Sequence, residues 1–234
     1  MTVIAMGGGG FSLEESSWMD DFVLAQANPR GTRPKVAFLG TASGESENYV
    51  LRFHRAFARR DCAAVDVSLF RRTAEDLRSL LLAQDVVYVG GGNTANMLAV
   101  WRVHGVDRIL SEAHARGTVL AGVSAGAMCW FEGGVTDSFG DLAVFEDGLA
   151  LLPGGFCPHY DEPGRRELFH TWATRPDARP RSGYAADNGA AVVLPSAGAA
   201  PFVVSTTPNA GGYRVTVDDA GRVVEERLQA RLLP

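Results

Sequence analysis

The sequence predicts an α/β protein built on a mainly parallel central sheet, with a small antiparallel extension at its C-terminal end. Three observations carry this. Short apolar runs alternate with segments of helical apolar spacing, the pattern of parallel strands joined by crossover helices. Two of those runs pass straight into glycine-rich turns that open a helix, at GGGNT (90–94) and GVSAGA (122–127). Beyond residue 194 the pattern changes to short strand-like runs with tight turns between them. No Pro/Gly/Ser-rich linker divides the 234 residues, so one domain over 1–234 is expected, long enough for a sizeable core.

In order along the chain, residues 3–6 read as a buried strand ending in four glycines, Gly7 to Gly10, and 13–27 follow with helical spacing. The glycine run lacks both the GKS/T ending of a phosphate loop and full G-x-G-x-x-G spacing. It therefore reads as a tight loop at the carboxyl edge of the sheet, free to line a crevice. After the NPRG turn, KVAFLG (35–40) is a second strand, and the helix behind it runs to Arg59 with Leu51, Phe53 and Phe57. Residues 63–70 form a third strand and 73–82 a short helix with Leu77, Leu80 and Leu81 on its apolar face. DVVYV (85–89) enters GGGNT and a helix over 95–101, and a further helix over 106–116 delivers the chain to the strand before Ser124. Residues 131–148, rich in glycine and acids, read as a loop or hairpin over the pocket, and 165–172 as a helix. Two short strands over 183–194 flank the turn Asp187-Asn188-Gly189, and 202–205, 213–217 and 222–228 complete the antiparallel extension.

Composition excludes several functions. A net charge of −5 and a pI near 5.5 argue against nucleic-acid binding, which needs a basic face, and favour a small-molecule or peptide ligand. Cys62, Cys129 and Cys157 are scattered without CxxC spacing, so a reducing compartment is expected. The N-terminal residues lack the features of a signal peptide and no apolar run reaches membrane-spanning length, so the expected location is the cytoplasm, away from membranes. No cofactor is expected, and a homodimer is a possible assembly. Cys157, His159 and Asp161 alternate without the spacing of known zinc sites, so no metal is expected.

The chemistry centres on Ser124. In G-x-S-x-G the serine stands on a sharp strand-to-helix turn, and small neighbours let the flanking backbone close in. A serine needs a base, and the base needs a third group to fix its tautomer. Of five histidines, His54, His114 and His170 fall in predicted helices and His104 in the break between two. His159 follows Pro158 in an extended segment and can point into a crevice. Asp187, Asn188 and Asp137 are the candidates for the third group; an aspartate would stabilise an imidazolium, whereas an asparagine only orients the ring. The GGGNT turn reads as part of an oxyanion hole, a phosphate site or a plain tight turn. Arg165 and Arg166 open a helix whose dipole disfavours cations there, which points to a carboxylate ligand or an acidic neighbour such as Asp161 or Glu162, the other reading being a solvated basic pair.

GGGNT, GVSAGA and PHYD (158–161), in this order, resemble the peptidase E (aspartyl dipeptidase) family of serine peptidases, and the likeness runs over about residues 3–194. The resemblance implies a flavodoxin-like three-layer α/β fold akin to class I glutamine amidotransferases, with serine in place of their cysteine. It implies Ser124 as nucleophile, His159 as general base, and an oxyanion hole from the N–H groups of Gly92 and Ala125. Related enzymes include cyanophycinase, which cleaves β-aspartyl-arginine units. The chain departs from the family pattern at one position: the acid that precedes the glycine of the late turn is Asn188 here, with Asp187 one residue earlier. Aspartyl specificity in the family rests on an arginine early in the helix after the histidine, where Arg165 and Arg166 fall at a shorter spacing. The expected function is hydrolysis of small peptides, Asp-X dipeptides or related aspartyl peptides among them. The alternative is a Ser-His-Asn site without Asp-X activity, acting on another amide or only binding a ligand.

Overall fold

The computed structural model describes residues 2–13, 18–72, 76–175, 182–195 and 199–234. Five parallel strands form the centre: β1 (Val3–Met6), β2 (Lys35–Leu39), β3 (Ala63–Asp66), β4 (Val86–Val89) and β5 (Val119–Val123), in spatial order β1-β5-β4-β2-β3. All residues of β1, β4 and β5 are buried, which is why they read as continuous apolar runs without alternation. Ile4 and Met6 face one layer and Val3 and Ala5 the other, so the pleat divides the core into two. On one face lie α1 (Trp18–Ala25) and α2 (Glu47–Phe57), with Phe11, Phe53 and Phe57 packed on Phe38 and Tyr88. On the other lie α3 (Leu77–Leu82), α4 (Thr94–His104), α5 (Val106–Ala115) and the short α6 (Ala125–Met128). Among the described residues no helix is long and apolar enough to cross a membrane.

A second sheet, which the sequence did not announce, stands beside the first. It contains β6 (Gly133–Phe139), β7 (Asp141–Phe145), β8 (Gly155–Cys157) and β9 (Ser182–Ala186), and α7 (Arg165–Thr174) packs on it through Phe169 and Trp172. The region 131–148 is thus a true hairpin, paired in register from Gly134 opposite Phe145.

The C-terminal expectation is corrected. β10 (Ala190–Leu194) pairs antiparallel to β1, β11 (Phe202–Ser205) antiparallel to β10, and β14 (Ala230–Leu232) then parallel to β11. β12 (Gly212–Val217) and β13 (Val223–Arg227) extend the second sheet instead. The strands flanking Asp187-Asn188-Gly189 therefore belong to different sheets and are not a hairpin. Both β9 and β10 are apolar enough to be central, so each needs partners on both edges, which a single hairpin cannot supply.

Smaller differences concern ends. β3 stops at Asp66, four residues before the expected limit, because Ser68 to Phe70 turn to bond the Glu45 carboxylate. α4 runs on to His104, so the break between helices is Gly105 alone, at φ 71°. The expected helix starts at 13 and 73 fall partly on 14–17 and 73–75, outside the described residues.

Candidate active site

Ser124 holds φ 54° and ψ −114° between β5 and α6. The two elbow glycines allow this turn for a steric reason. A Cβ on Gly122 would lie 2.0 Å from the Gly126 carbonyl oxygen, and one on Gly126 2.4 Å from that of Val89. Strand, elbow and helix are thus in backbone contact, and Ser124 is locked by its N–H on Met6 O at 3.0 Å and its carbonyl on the N–H groups of Ala127 and Met128.

His159 follows β8 and Pro158 and adopts φ 51°, an uncommon conformation for a non-glycine residue that marks a constrained site. Its Nε2 lies 2.9 Å from Ser124 Oγ and its Nδ1 2.7 Å from Asn188 Oδ1. An amide oxygen only accepts, so Nδ1 carries the proton and the Nε2 lone pair faces the serine hydroxyl. Gly8 explains the glycine run after β1. It bridges to Asn188, its carbonyl accepts the Gly189 N–H at 2.9 Å, and a Cβ there would be 2.1 Å from Asn188 Oδ1.

The other two candidates for the third position are engaged elsewhere. Asp187 Oδ2 accepts from the Gly211 N–H at 2.8 Å and the Tyr213 hydroxyl at 3.1 Å, and burial pushes its carboxyl pKa up. Asp137 Oδ2 sits 3.2 Å from Arg165 Nη2. Arg165, only 6% exposed, also reaches Glu162 at 3.3 Å, so of its two expected partners the structure supports the acidic neighbour. Arg166 lies over the Tyr160 and Tyr213 rings at 4.7 and 5.1 Å, with Glu225 3.5 Å away. Neither arginine lines the cavity at Ser124.

That cavity, about 270 Å³, is bounded by Gly8, Gly9, Tyr49, Gly91, Ser124 and His159, and among the described residues Arg52 brings a cation to its wall. Arg52 donates to Ser12 O at 2.8 Å. No sequence signal marks it, because a lone arginine on an amphipathic helix reads as surface. A larger open groove of about 570 Å³, beside His54 and Asp66, takes no part in this arrangement.

At the GGGNT turn, Thr94 N–H donates to Ser138 Oγ at 2.9 Å and Asn96 N–H to Asn93 Oδ1 at 2.8 Å. The first N–H groups of α4 are thus already bonded to the side chains of Ser138 and Asn93, which counts against a phosphate site at the start of that helix. Gly91 N–H donates to Tyr49 Oη at 3.2 Å, whereas the N–H groups of Gly92 and Ala125 have no partner among the described residues. Cys129 is fully buried with its Sγ on Gly126 O, and burial raises its pKa well above the ordinary thiol value, which disqualifies it as a nucleophile.

Comparison with known proteins identifies the family and the fold. The model of peptidase family S51 matches residues 3–200. The uncharacterized peptidase YgaJ of Bacillus subtilis (strain 168) is 49% identical over 192 residues, 81% of each chain. The uncharacterized peptidase Lin0382 of Listeria innocua is 30% identical over 134 residues, 54% of this chain and 64% of its own. The fold is shared with a peptidase from an acI-B1 actinobacterium, with a TM-score of 0.69 at 15% identity over 98% of this chain and 94% of the other. The chain belongs to peptidase family S51, the peptidase E family, and is a serine-type peptidase.

Proposed function

We propose that this peptidase cleaves small peptides through an acyl-enzyme on Ser124, with His159 as general base and Asn188 as the residue that orients it. The observation that carries the reading is the continuous line Ser124 Oγ, His159 Nε2, His159 Nδ1, Asn188 Oδ1, with separations of 2.9 and 2.7 Å across its two gaps. As Ser124 Oγ attacks the scissile carbonyl carbon, His159 Nε2 takes its proton. The carbonyl oxygen, now negative, faces the unpartnered N–H groups of Gly92 and Ala125. The imidazolium passes its proton to the leaving amine as the C–N bond breaks. Water, deprotonated in turn by His159, then cleaves the ester and restores the serine.

The small cavity favours short substrates, and Arg52 gives it one cation for a substrate carboxylate. This replaces Arg165 and Arg166 as the expected carboxylate readers. Because Arg165 and Arg166 are turned to acidic neighbours and away from the cavity, we rank general small-peptide hydrolysis above rapid Asp-X dipeptidase activity. The readings of fold and domain follow the same line. β2 to β5 repeat the 2-1-3-4 order of a flavodoxin-like sheet with β1 in the fifth place, and Ser124 comes from one sheet while His159 and Asn188 follow strands of the other, which supports one domain. Cys62, Cys129 and Cys157 are free and buried, which supports a reducing compartment.

The test is hydrolysis of Asp-X, isoaspartyl and other dipeptides by wild type and Ser124→Ala. Turnover that disappears in the variant supports the proposal, and turnover unchanged in the variant overturns it. Ligand binding without any turnover would favour the binding-protein alternative.

A further inference from the structure

Resting on the reading of Ser124 and His159 given above, we infer that Glu162 is a positioning residue that supplies the negative charge Asn188 lacks. An asparagine beside a catalytic histidine raises two problems. Its amide must be held with oxygen toward the ring, and it brings no charge to balance the imidazolium formed during attack.

The loop after His159 answers both. Asn188 Nδ2 donates to Asp161 Oδ1 at 3.2 Å and to Glu162 Oε1 at 3.3 Å, and the Asn188 peptide N–H donates to Asp161 Oδ1 at 2.8 Å. Ionised carboxylates accept and cannot donate, so a flipped amide would turn its oxygen onto two anions. The flip is excluded, and with it the wrong tautomer of His159. Glu162 Oε1 also lies 3.6 Å from His159 Nδ1, beyond hydrogen-bond reach but close enough for its charge to act directly.

Glu162 is fixed in this pose from both ends. Its N–H donates to His159 O at 2.9 Å, and its Oε2 accepts from Arg165 Nε at 3.3 Å. Arg165 in turn is held by Asp137 at 3.2 Å. The charged groups around the imidazole are then Asp161 and Glu162 on its own loop, Arg165 from α7 behind Glu162, and Arg52 from α2 on the cavity wall; Asp187 is turned to Gly211 and Tyr213. Orientation and charge, which one acid can provide together, are divided here between Asn188 and Glu162.

The experiment measures the rate at which a fluorophosphonate probe labels Ser124 as a function of pH in wild type, Glu162→Gln and Glu162→Asp. The Glu162 side chain is 47% exposed, and glutamine keeps its shape and its acceptor, so the fold is retained. The loss of charge is expected to slow labelling roughly threefold and to move the acid limb of the profile to lower pH, since a neutral neighbour stabilises the imidazolium less. Glu162→Asp keeps the charge and is expected to leave the limb in place. A limb that does not move in Glu162→Gln, or that moves equally in Glu162→Asp, overturns the assignment. No labelling of wild-type Ser124 at any pH overturns the catalytic reading and this assignment with it.

Discussion

Replacement of Gly8 by alanine is a small change with a large expected effect. Gly8 makes no contact with the substrate chemistry through a side chain, yet its Cα faces the bond between His159 and Asn188. The new methyl would stand 2.1 Å from Asn188 Oδ1 and 3.1 Å from His159 Nδ1. The Gly8 backbone cannot retreat freely, because its carbonyl holds Gly189 N–H at 2.9 Å and Gly8 bridges to Asn188. The amide oxygen must therefore withdraw by about 1 Å, which takes the 2.7 Å bond to His159 beyond hydrogen-bond range. A displacement of that size at a catalytic group costs about 100-fold in rate. Overpacking at the loop should cost about 1–3 kcal/mol of stability, small enough for the protein to remain folded. The assay is the labelling rate of Ser124 by a fluorophosphonate, together with kcat/KM on any turned-over dipeptide. Asn188→Ala should give a loss of similar size, and the double variant should lose little more, because both changes break one contact. Full activity in Gly8→Ala, or losses that simply add in the double variant, would mean that Gly8 does not act through the contact between His159 and Asn188.

Asp20 on α1 is fully buried; desolvation pushes its carboxyl pKa up to about 7, opposed by Arg60 and by the hydroxyl of Tyr88 at 3.1 Å. Because the folded pKa lies above the ordinary value of 3.8, its contribution is complete below that pH and is lost as pH rises toward 7. Asp20→Asn should thus gain up to about 4 kcal/mol at about pH 8 and little near pH 4, read from urea midpoints; an equal effect at both would contradict the assigned cause. Arg52→Gln should raise KM about tenfold for carboxylate-bearing peptides with kcat nearly unchanged, whereas an equal loss on neutral peptides would remove Arg52 as a carboxylate reader.

The parts of this protein legible in its sequence are those governed by local rules. The parallel strands announced themselves as apolar runs because β1, β4 and β5 are buried on both faces, and the elbow did so because Gly122 and Gly126 have no room for a Cβ. His159 stood out through Pro158 and its loop. The second sheet did not, because its pairing joins residues far apart: β9 meets β12 across about thirty residues, and β8 and β6 contribute only short stretches. The same limit left the third residue open. Asp187 and Asn188 are neighbours, and only the passage of the chain from one sheet to the other turns Asp187 toward Tyr213 and Asn188 toward His159. Arg165 was visible as an oddly placed cation, but its partners Asp137 and Glu162 come from a hairpin and a loop that sequence spacing does not bring together.

Activation of Ser124 by His159 can be read from covalent labelling: wild type, Ser124→Ala and His159→Ala are treated with a fluorophosphonate, and the intact mass and the modified peptide are measured. The wild type should carry a single adduct on Ser124 and Ser124→Ala none, and labelling in His159→Ala should be slowed by at least about 100-fold. An unlabelled wild type, or a His159→Ala variant labelled at the wild-type rate, would contradict it.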